Sequence, residues 1–275
     1  MPLEINEFKQ TVWKFYKENG RDDLPWRKTT DPYSVLVSEI MLQQTQVSRV
    51  IPKYIDWLDQ FPDFPTLAEA DLSSVIALWQ GLGYNRRARY LAQTAEDVMT
   101  KHDGSLPENE ESLKKLPGIG PYTAGAVQAF AYNTPVVFVD TNIRSVYLYH
   151  FFEDQNEVNE ALIEEHVKQT LDTQNPREWY WALMDYGAFI KDEYGNPNKK
   201  SSKYNTQSKF EGSNRQLRSR LLRFILNNQP ADLEEIKNNL QSSTERQKSI
   251  EDNLNDLVHE KMIEKTNQNT YRVAN

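Results

Sequence analysis

Between residues 4 and 189, apolar side chains recur at helical spacing in one block after another, most of them closed by Pro, Gly or Asp. The pattern predicts helices over 4–19, 32–46, 47–60, 66–70, 72–80, 84–101, 109–115, 121–131, 141–150, 157–172 and 176–189. The first carries Ile5, Phe8, Val12, Phe15 and Tyr16 on one side. One run departs from this period: "PVVFVD", 135–140, is short, β-branched and opened by proline, and reads as a buried extended connector. A chain so patterned is expected to be all-α over its first 190 residues.

Residues 191–212 break the pattern. They are rich in Asn, Ser and Lys, nearly lack aliphatics, and read as a long loop or linker. Beyond them, three helical stretches and a terminal pair of short strands around "TNQN" suggest a winged-helix-like α+β module over 213–275; a plain helical cap is the alternative. The formal net charge of -8 argues against a nucleic-acid partner, yet residues 199–223 hold eight basic residues against the single acid Glu211. Such a strip is either a solvated face or a local dock for phosphates.

The chain contains no cysteine, which excludes disulfides, thiolate zinc sites and cysteine-held iron–sulfur clusters. The histidines, His102, His150, His166 and His259, form no metal-spaced pair. No stretch reaches the roughly 18 unbroken apolar residues of a membrane span, and the first 20 residues lack the pattern of a signal peptide. A cytosolic, monomeric protein is the expectation.

In "LPGIGPYTAGA", 116–126, Gly118 and Gly120 permit close backbone approach, and Pro121 suits the first turn of the helix that follows. Backbone N–H groups and a helix N-terminus then converge on one spot, which favours an anion, most naturally a phosphate. Glu39 lies among Val35, Leu36, Val37, Ile40, Met41 and Leu42, where burial would raise its pKa. The other reading puts it on an exposed face with Gln43 and Gln46. Asp140 closes "PVVFVD" and opens "TNIRSVYLY", so it is a helix N-cap, a functional carboxylate, or both.

Four blocks, "LPWR…DPYSVLVSEIMLQQTQVSRVIPKY", "LWQGLGYNRRAR", "LPGIGPYTAGAV" and "VFVDTNIR", together resemble the helix-hairpin-helix DNA glycosylases, and among them the MutY-like adenine glycosylases, over residues 5 to 190. The resemblance implies a two-lobed all-α fold: a six-helix barrel over 29–134 with the hairpin, and a second lobe from 1–28 plus 135–190. It implies double-stranded DNA as partner, a nucleoid-associated protein, and a target nucleotide swung out of the duplex. Glu39 would protonate the purine at N7, and Asp140 would stay ionised against the sugar cation. Asn142 would orient water or the acid. Tyr122 stands where strand-cleaving relatives carry a Schiff-base lysine, which implies a glycosylase without lyase activity. Gln44 would fill the gap left by the flipped base and Tyr84 would wedge between neighbouring bases. Arg27 and Asp185 would line the base pocket. Gly118, Gly120 and Arg86 would contact phosphates, as would Arg87 and Arg89.

The chain departs from that branch in three ways. Its relatives carry four cluster-binding cysteines after the stretch matching "ALMDYGA"; here the basic segment holds Lys199, Lys200 and Lys203 as candidate DNA contacts instead, and no iron–sulfur cofactor is expected, a monovalent cation at the hairpin being left open. The 213–275 module replaces a Nudix-like domain that reads 8-oxoguanine. "VDTN" and Asp185 replace "VDGN" and a glutamate, which leaves the excised base open: adenine or another purine, with a thymine/uracil mismatch glycosylase or a non-catalytic DNA-binding protein as alternatives.

Overall fold

The computed structural model describes residues 4–206, 209–240, 249–266 and 268–274. Helices come in the order α1 (Ile5–Asn19), α2 (Pro32–Leu42), α3 (Val47–Gln60), α4 (Phe64–Ala68), α5 (Leu72–Trp79), α6 (Arg86–Lys101), α7 (Glu110–Leu113) and α8 (Pro121–Phe130). There follow α9 (Thr141–Phe151), α10 (Glu160–Thr170), α11 (Pro176–Glu193), α12 (Asn214–Asn227), β1 (Ala231–Asp232), α13 (Leu233–Leu240), α14 (Ile250–His259), β2 (Ile263–Lys265) and β3 (Thr270–Val273). The chain parts into two compact units, Met1–Glu39 with Leu106–Thr206 and Ile40–Ser105 with Gln207–Asn275. These divisions differ from the lobes expected at 28/29 and 134/135, since the hairpin falls with the first unit.

In the first unit, α9 and α11 pack closely, and α1 lies on α11. Phe8 of α1 sits against Tyr147 of α9 and Trp179 of α11, at ring distances of 5.2 and 6.2 Å. The α9–α11 contact is backbone on backbone: a Cβ added at Gly187 would lie 2.0 Å from the Asn142 carbonyl oxygen. Only a glycine lets the helices approach so nearly. The 135–140 connector is not buried throughout as expected. Phe138 is its one buried side chain, wedged 4.0 Å from the Tyr180 ring and against Gly125 of α8, while Val137 is exposed. α11 runs past the expected end at 189, so residues 191–193 are helical rather than the start of a loop.

In the second unit, α2 stops at Leu42, short of the expected 46, because Gln44 adopts φ +54. The hub of this region is Arg87, 8% exposed. Its guanidinium donates to the carbonyls of Ile40, Met41, Gln43, Leu82 and Gly83 and to the Thr45 hydroxyl. It thereby satisfies the open carbonyls at the end of α2. The C-terminal module has the order α12, β1, α13, α14, β2, β3, with an antiparallel sheet β1-β3-β2 in which Ala231 faces Tyr271 and Ile263 faces Val273. This is a winged-helix arrangement, with β1 too short to stand out in the sequence. Residues 241–248, where the third expected helix begins, and Asn267 of the expected turn lie outside the described residues. Leu217, Leu221, Ile225, Leu254 and Leu257 form the module's core and pack on Ile76 of α5, so the module is also a cap.

Candidate active site

The hairpin runs from α7 to α8. Asn109 caps α7 through the Ser112 N–H at 2.9 Å, and Gly118 turns the chain at φ +76. Gly120 is exposed, its φ of -92 is open to any residue, and a Cβ there would meet no atom within 4 Å. The fold itself therefore does not demand a glycine at 120. Ile119 between them is buried and anchors the turn.

Behind the hairpin, α8 brings the Tyr122 hydroxyl to Glu39 of α2, to which it donates at 2.8 Å. Glu39 is 4% exposed. Burial lifts its carboxyl to about 7, with the charge of Asp140 pushing the same way and the Tyr122 bond and the charge of Arg27 opposing. The exposed-face reading of Glu39 is thus excluded. Tyr122 is held well above the ordinary phenol pKa by burial and by the charges of Glu39 and Asp140, so it remains a donor.

Asp140 caps α9. Its Oδ1 accepts from the N–H groups of Asn142 at 2.8 Å and Ile143 at 2.6 Å. Opposite shifts were expected for the two acids, but both rise. Burial pushes Asp140 up as well, against the Ile143 N–H, the Lys191 ammonium, the Asn142 N–H and Arg144. The asymmetry lies in their partners: Asp140 has two backbone donors, two cations and a helix N-terminus, which favour its charged form.

Arg27 and Asp185 form a buried pair, with side chains 4% and 2% exposed. Asp185 accepts from Arg27 Nη1 and Nη2 at 2.7 and 2.8 Å and from the Arg21 N–H and Nε at 2.9 and 2.7 Å. A carboxylate offers about four acceptor sites, so Asp185 is filled by these arginines. Burial alone would raise its carboxyl, but the bonds and charges of Arg27 and Arg21 hold it below the usual range. Arg21 escaped the sequence reading because nothing in the polar turn "GRDD" marks it.

The other expected contacts are dispersed. Gln44 is exposed in its left-handed turn. Tyr84, at φ +47, receives a 2.7 Å hydrogen bond from Arg215 of α12 and has the Arg215 and Arg87 guanidiniums near its ring. Arg86 is exposed, 3.9 Å from Glu260. Arg87, spent on backbone carbonyls, is a structural residue. Lys199 is exposed, Lys200 donates to the Glu153 carbonyl at 2.5 Å, and Lys203 lies 3.9 Å from Glu160. Among the described residues no group of His, Cys, Asp or Glu could hold a metal ion, and no helix is long and apolar enough to cross a membrane.

Residues 37–171 match the model of the HhH-GPD superfamily base excision DNA repair proteins. The chain is 39% identical over 184 residues to an adenine DNA glycosylase of Buchnera aphidicola subsp. Baizongia pistaciae, covering 66% of this chain and 52% of that protein. It is 34% identical over 200 residues to the human adenine DNA glycosylase, covering 68% of this chain and 36% of that protein. The chain thus spans about half the length, or less, of the curated relatives it matches. A solved thermostable thymine-DNA glycosylase superposes with a TM-score of 0.63 at 28% identity, over 71% of this chain and 91% of that one.

Proposed function

Because residues 37–171 belong to the HhH-GPD superfamily, we propose that the chain is a monofunctional DNA glycosylase of base excision repair. It hydrolyses the N-glycosidic bond of a flipped adenine, or another mispaired or damaged purine, and leaves an abasic site. The observation that carries this reading is the pairing of a buried Glu39, its carboxyl near 7, with the N-capping Asp140. Glu39 gives its proton to purine N7, the C1′–N9 bond breaks, and the leaving base departs neutral. Asp140 faces the oxocarbenium while water adds to C1′ and gives its proton to the Glu39 carboxylate, restoring the acid.

Tyr122 supports the absence of a lyase step, since a phenol has no amine with which to form an imine. Asn142 lies at the first turn of α9 as a water- or acid-orienting group. Arg27 is held by Asp185 and acts on Glu39 by its charge. Gly118, Gly120 and the start of α8 clamp a DNA phosphate. The unneeded glycine at 120 leaves room for a backbone to approach. Gln44, Tyr84, Arg86, Lys199, Lys200 and Lys203 are the remaining proposed DNA contacts.

A second reading, a thymine or uracil mismatch glycosylase, is favoured by the likeness to the thymine-DNA glycosylase structure. One panel of duplexes separates them: adenine opposite 8-oxoguanine or guanine, thymine or uracil opposite guanine, hypoxanthine, and alkylated purines, with strand scission scored with and without alkali. Purine excision that needs alkali and disappears in Glu39→Gln and Asp140→Asn supports the proposal. Pyrimidine excision alone selects the second reading, and binding without excision points to a non-catalytic DNA-binding protein.

A further inference from the structure

The segment after α11, where the resembling family carries cluster cysteines, holds no donor set for iron and sulfur here. It contributes a buried amide, Asn198, and is preceded by the ammonium of Lys191 in the last turn of α11, with no thiolate. The segment is nevertheless tightly placed. Lys191 lies on α11 one turn beyond Gly187, so it rises from the side of α11 that meets the Asn142 backbone.

Asn198 sits in the 3₁₀ turn Pro197–Lys200 and is 4% exposed. Its Nδ2 donates to the Thr141 carbonyl at 3.0 Å and to the Ser145 hydroxyl at 2.6 Å. The Ser145 hydroxyl itself donates to the Thr141 carbonyl at 2.7 Å. On its far side the segment is stapled by the Val158 N–H, which donates to the Lys200 carbonyl at 2.8 Å, and by the Ser202 N–H, which donates back to Val158 at 3.2 Å. The buried contacts of Asn198 thus fall on the first turn of α9, directly after Asp140.

We propose that Lys191 and Asn198 are positioning residues for Asp140: the ammonium stands as its counter-charge, and the buried amide pins the first turn of the helix it caps. The inference rests on the proposed role of Asp140 and deepens it. The charge of Asp140 also acts on Glu39 of α2 and on Tyr122 of α8, Arg144 acts on Asp140 from α9 itself, and the charge of Arg21 acts on Lys191. Lys191 acts on Asp140, whereas the cation acting on Glu39 is Arg27. The ammonium thereby favours the ionised form of Asp140.

The test reads the carboxyl directly. The Asp140 ¹³C carboxyl resonance, assigned by its loss in Asp140→Asn, is titrated in a Glu39→Gln background that removes the coupled partner. Lys191→Met is expected to raise the Asp140 midpoint by about one unit, and Lys191→Arg to restore it. An unchanged midpoint in Lys191→Met overturns the counter-charge. For the pin, amide exchange at Asn142 and Ile143 is expected to quicken about tenfold or more in Asn198→Ala, with α8 unchanged. Asn198→Ser, which keeps one donor, serves where Asn198→Ala does not fold. Unaltered exchange at both amides overturns the pin. Neither readout needs a reaction, so a chain that excises no base from the panel refutes the proposed function while these measurements still decide the inference. In an active enzyme, the acid limb of the single-turnover rate moves upward with the midpoint.

Discussion

The Tyr122 hydroxyl donates to Glu39 Oε2 at 2.8 Å, joining the helix after the hairpin to a buried acid 83 residues away in sequence. The bond stabilises the ionised form of Glu39 and so opposes the rise that burial imposes. Tyr122→Phe removes that opposition. Its expected effect is a Glu39 pKa above its present value of about 7, with the alkaline limb of the single-turnover rate moved upward. The plateau should fall about tenfold, the worth of one charge-assisted hydrogen bond. A limb that stays put, or moves down, would show that Glu39 is not the acid whose deprotonation ends activity.

The proposed function sets Tyr122 beside the sugar, where an amine at 122 would reach the sugar aldehyde. Tyr122→Lys is expected to convert excision into excision with strand cleavage. The amine adds to C1′ of the ring-opened abasic site, water leaves, and the imine that forms is reducible by borohydride. Denaturing gels score the trapped protein–DNA adduct. No adduct, in a variant that still excises, would place residue 122 away from the sugar.

An acid held protonated by burial weakens the fold wherever it is forced to ionise. Glu39 has an ordinary carboxyl value in the unfolded chain and one near 7 in the native state. The native state therefore binds the extra proton between those values, and stability falls as pH rises through that window. Above about 7 the full penalty is present; below about 4.5 it is absent. Glu39→Gln removes the titration and should raise stability by roughly 1–3 kcal/mol at pH 8. The gain should vanish at pH 4.5. Thermal melts of both proteins across that range decide the matter, and an equal offset at all pH values would mean that Glu39 does not titrate as described.

Much of this was legible in the sequence. The helical period located nearly every helix, because each amphipathic face must meet a core, and the apolar neighbours of Glu39 announced its burial. What escaped depends on contacts distant in sequence. Arg86 and Arg87 are adjacent in one motif, yet one is exposed and the other is buried among carbonyls; nothing short of the folded loop distinguishes them. Lys191 belongs to a polar run, "KDE", that reads as loop, but the packing of α11 on α9 carries the helix through it. The resemblance implies a base-pocket role for Asp185, but the four donors from Arg21 and Arg27 that fill it are visible only in the folded chain. The capping role of Asp140 is legible in the sequence, but the desolvation that raises its carboxyl depends on the folded surroundings.

Two glycines separate folding from the proposed DNA contact. At Gly187 an added methyl would strike the Asn142 carbonyl oxygen at 2.0 Å, backbone against backbone, with no flexible side chain to yield. Gly187→Ala should cost at least about 2–3 kcal/mol and disturb the first turn of α9, so melting temperature and excision fall together. At Gly120 the methyl meets open space and the backbone conformation suits alanine. Gly120→Ala should leave stability unchanged or raise it by about 0.4–1 kcal/mol. A phosphate seated on the hairpin would nevertheless meet that methyl, and duplex affinity should drop about tenfold, near 1.4 kcal/mol. Melting curves and fluorescence anisotropy with one labelled duplex test both variants. A Gly120→Ala protein that binds as the native one does would remove the hairpin from the DNA interface, whatever the fate of Gly187→Ala.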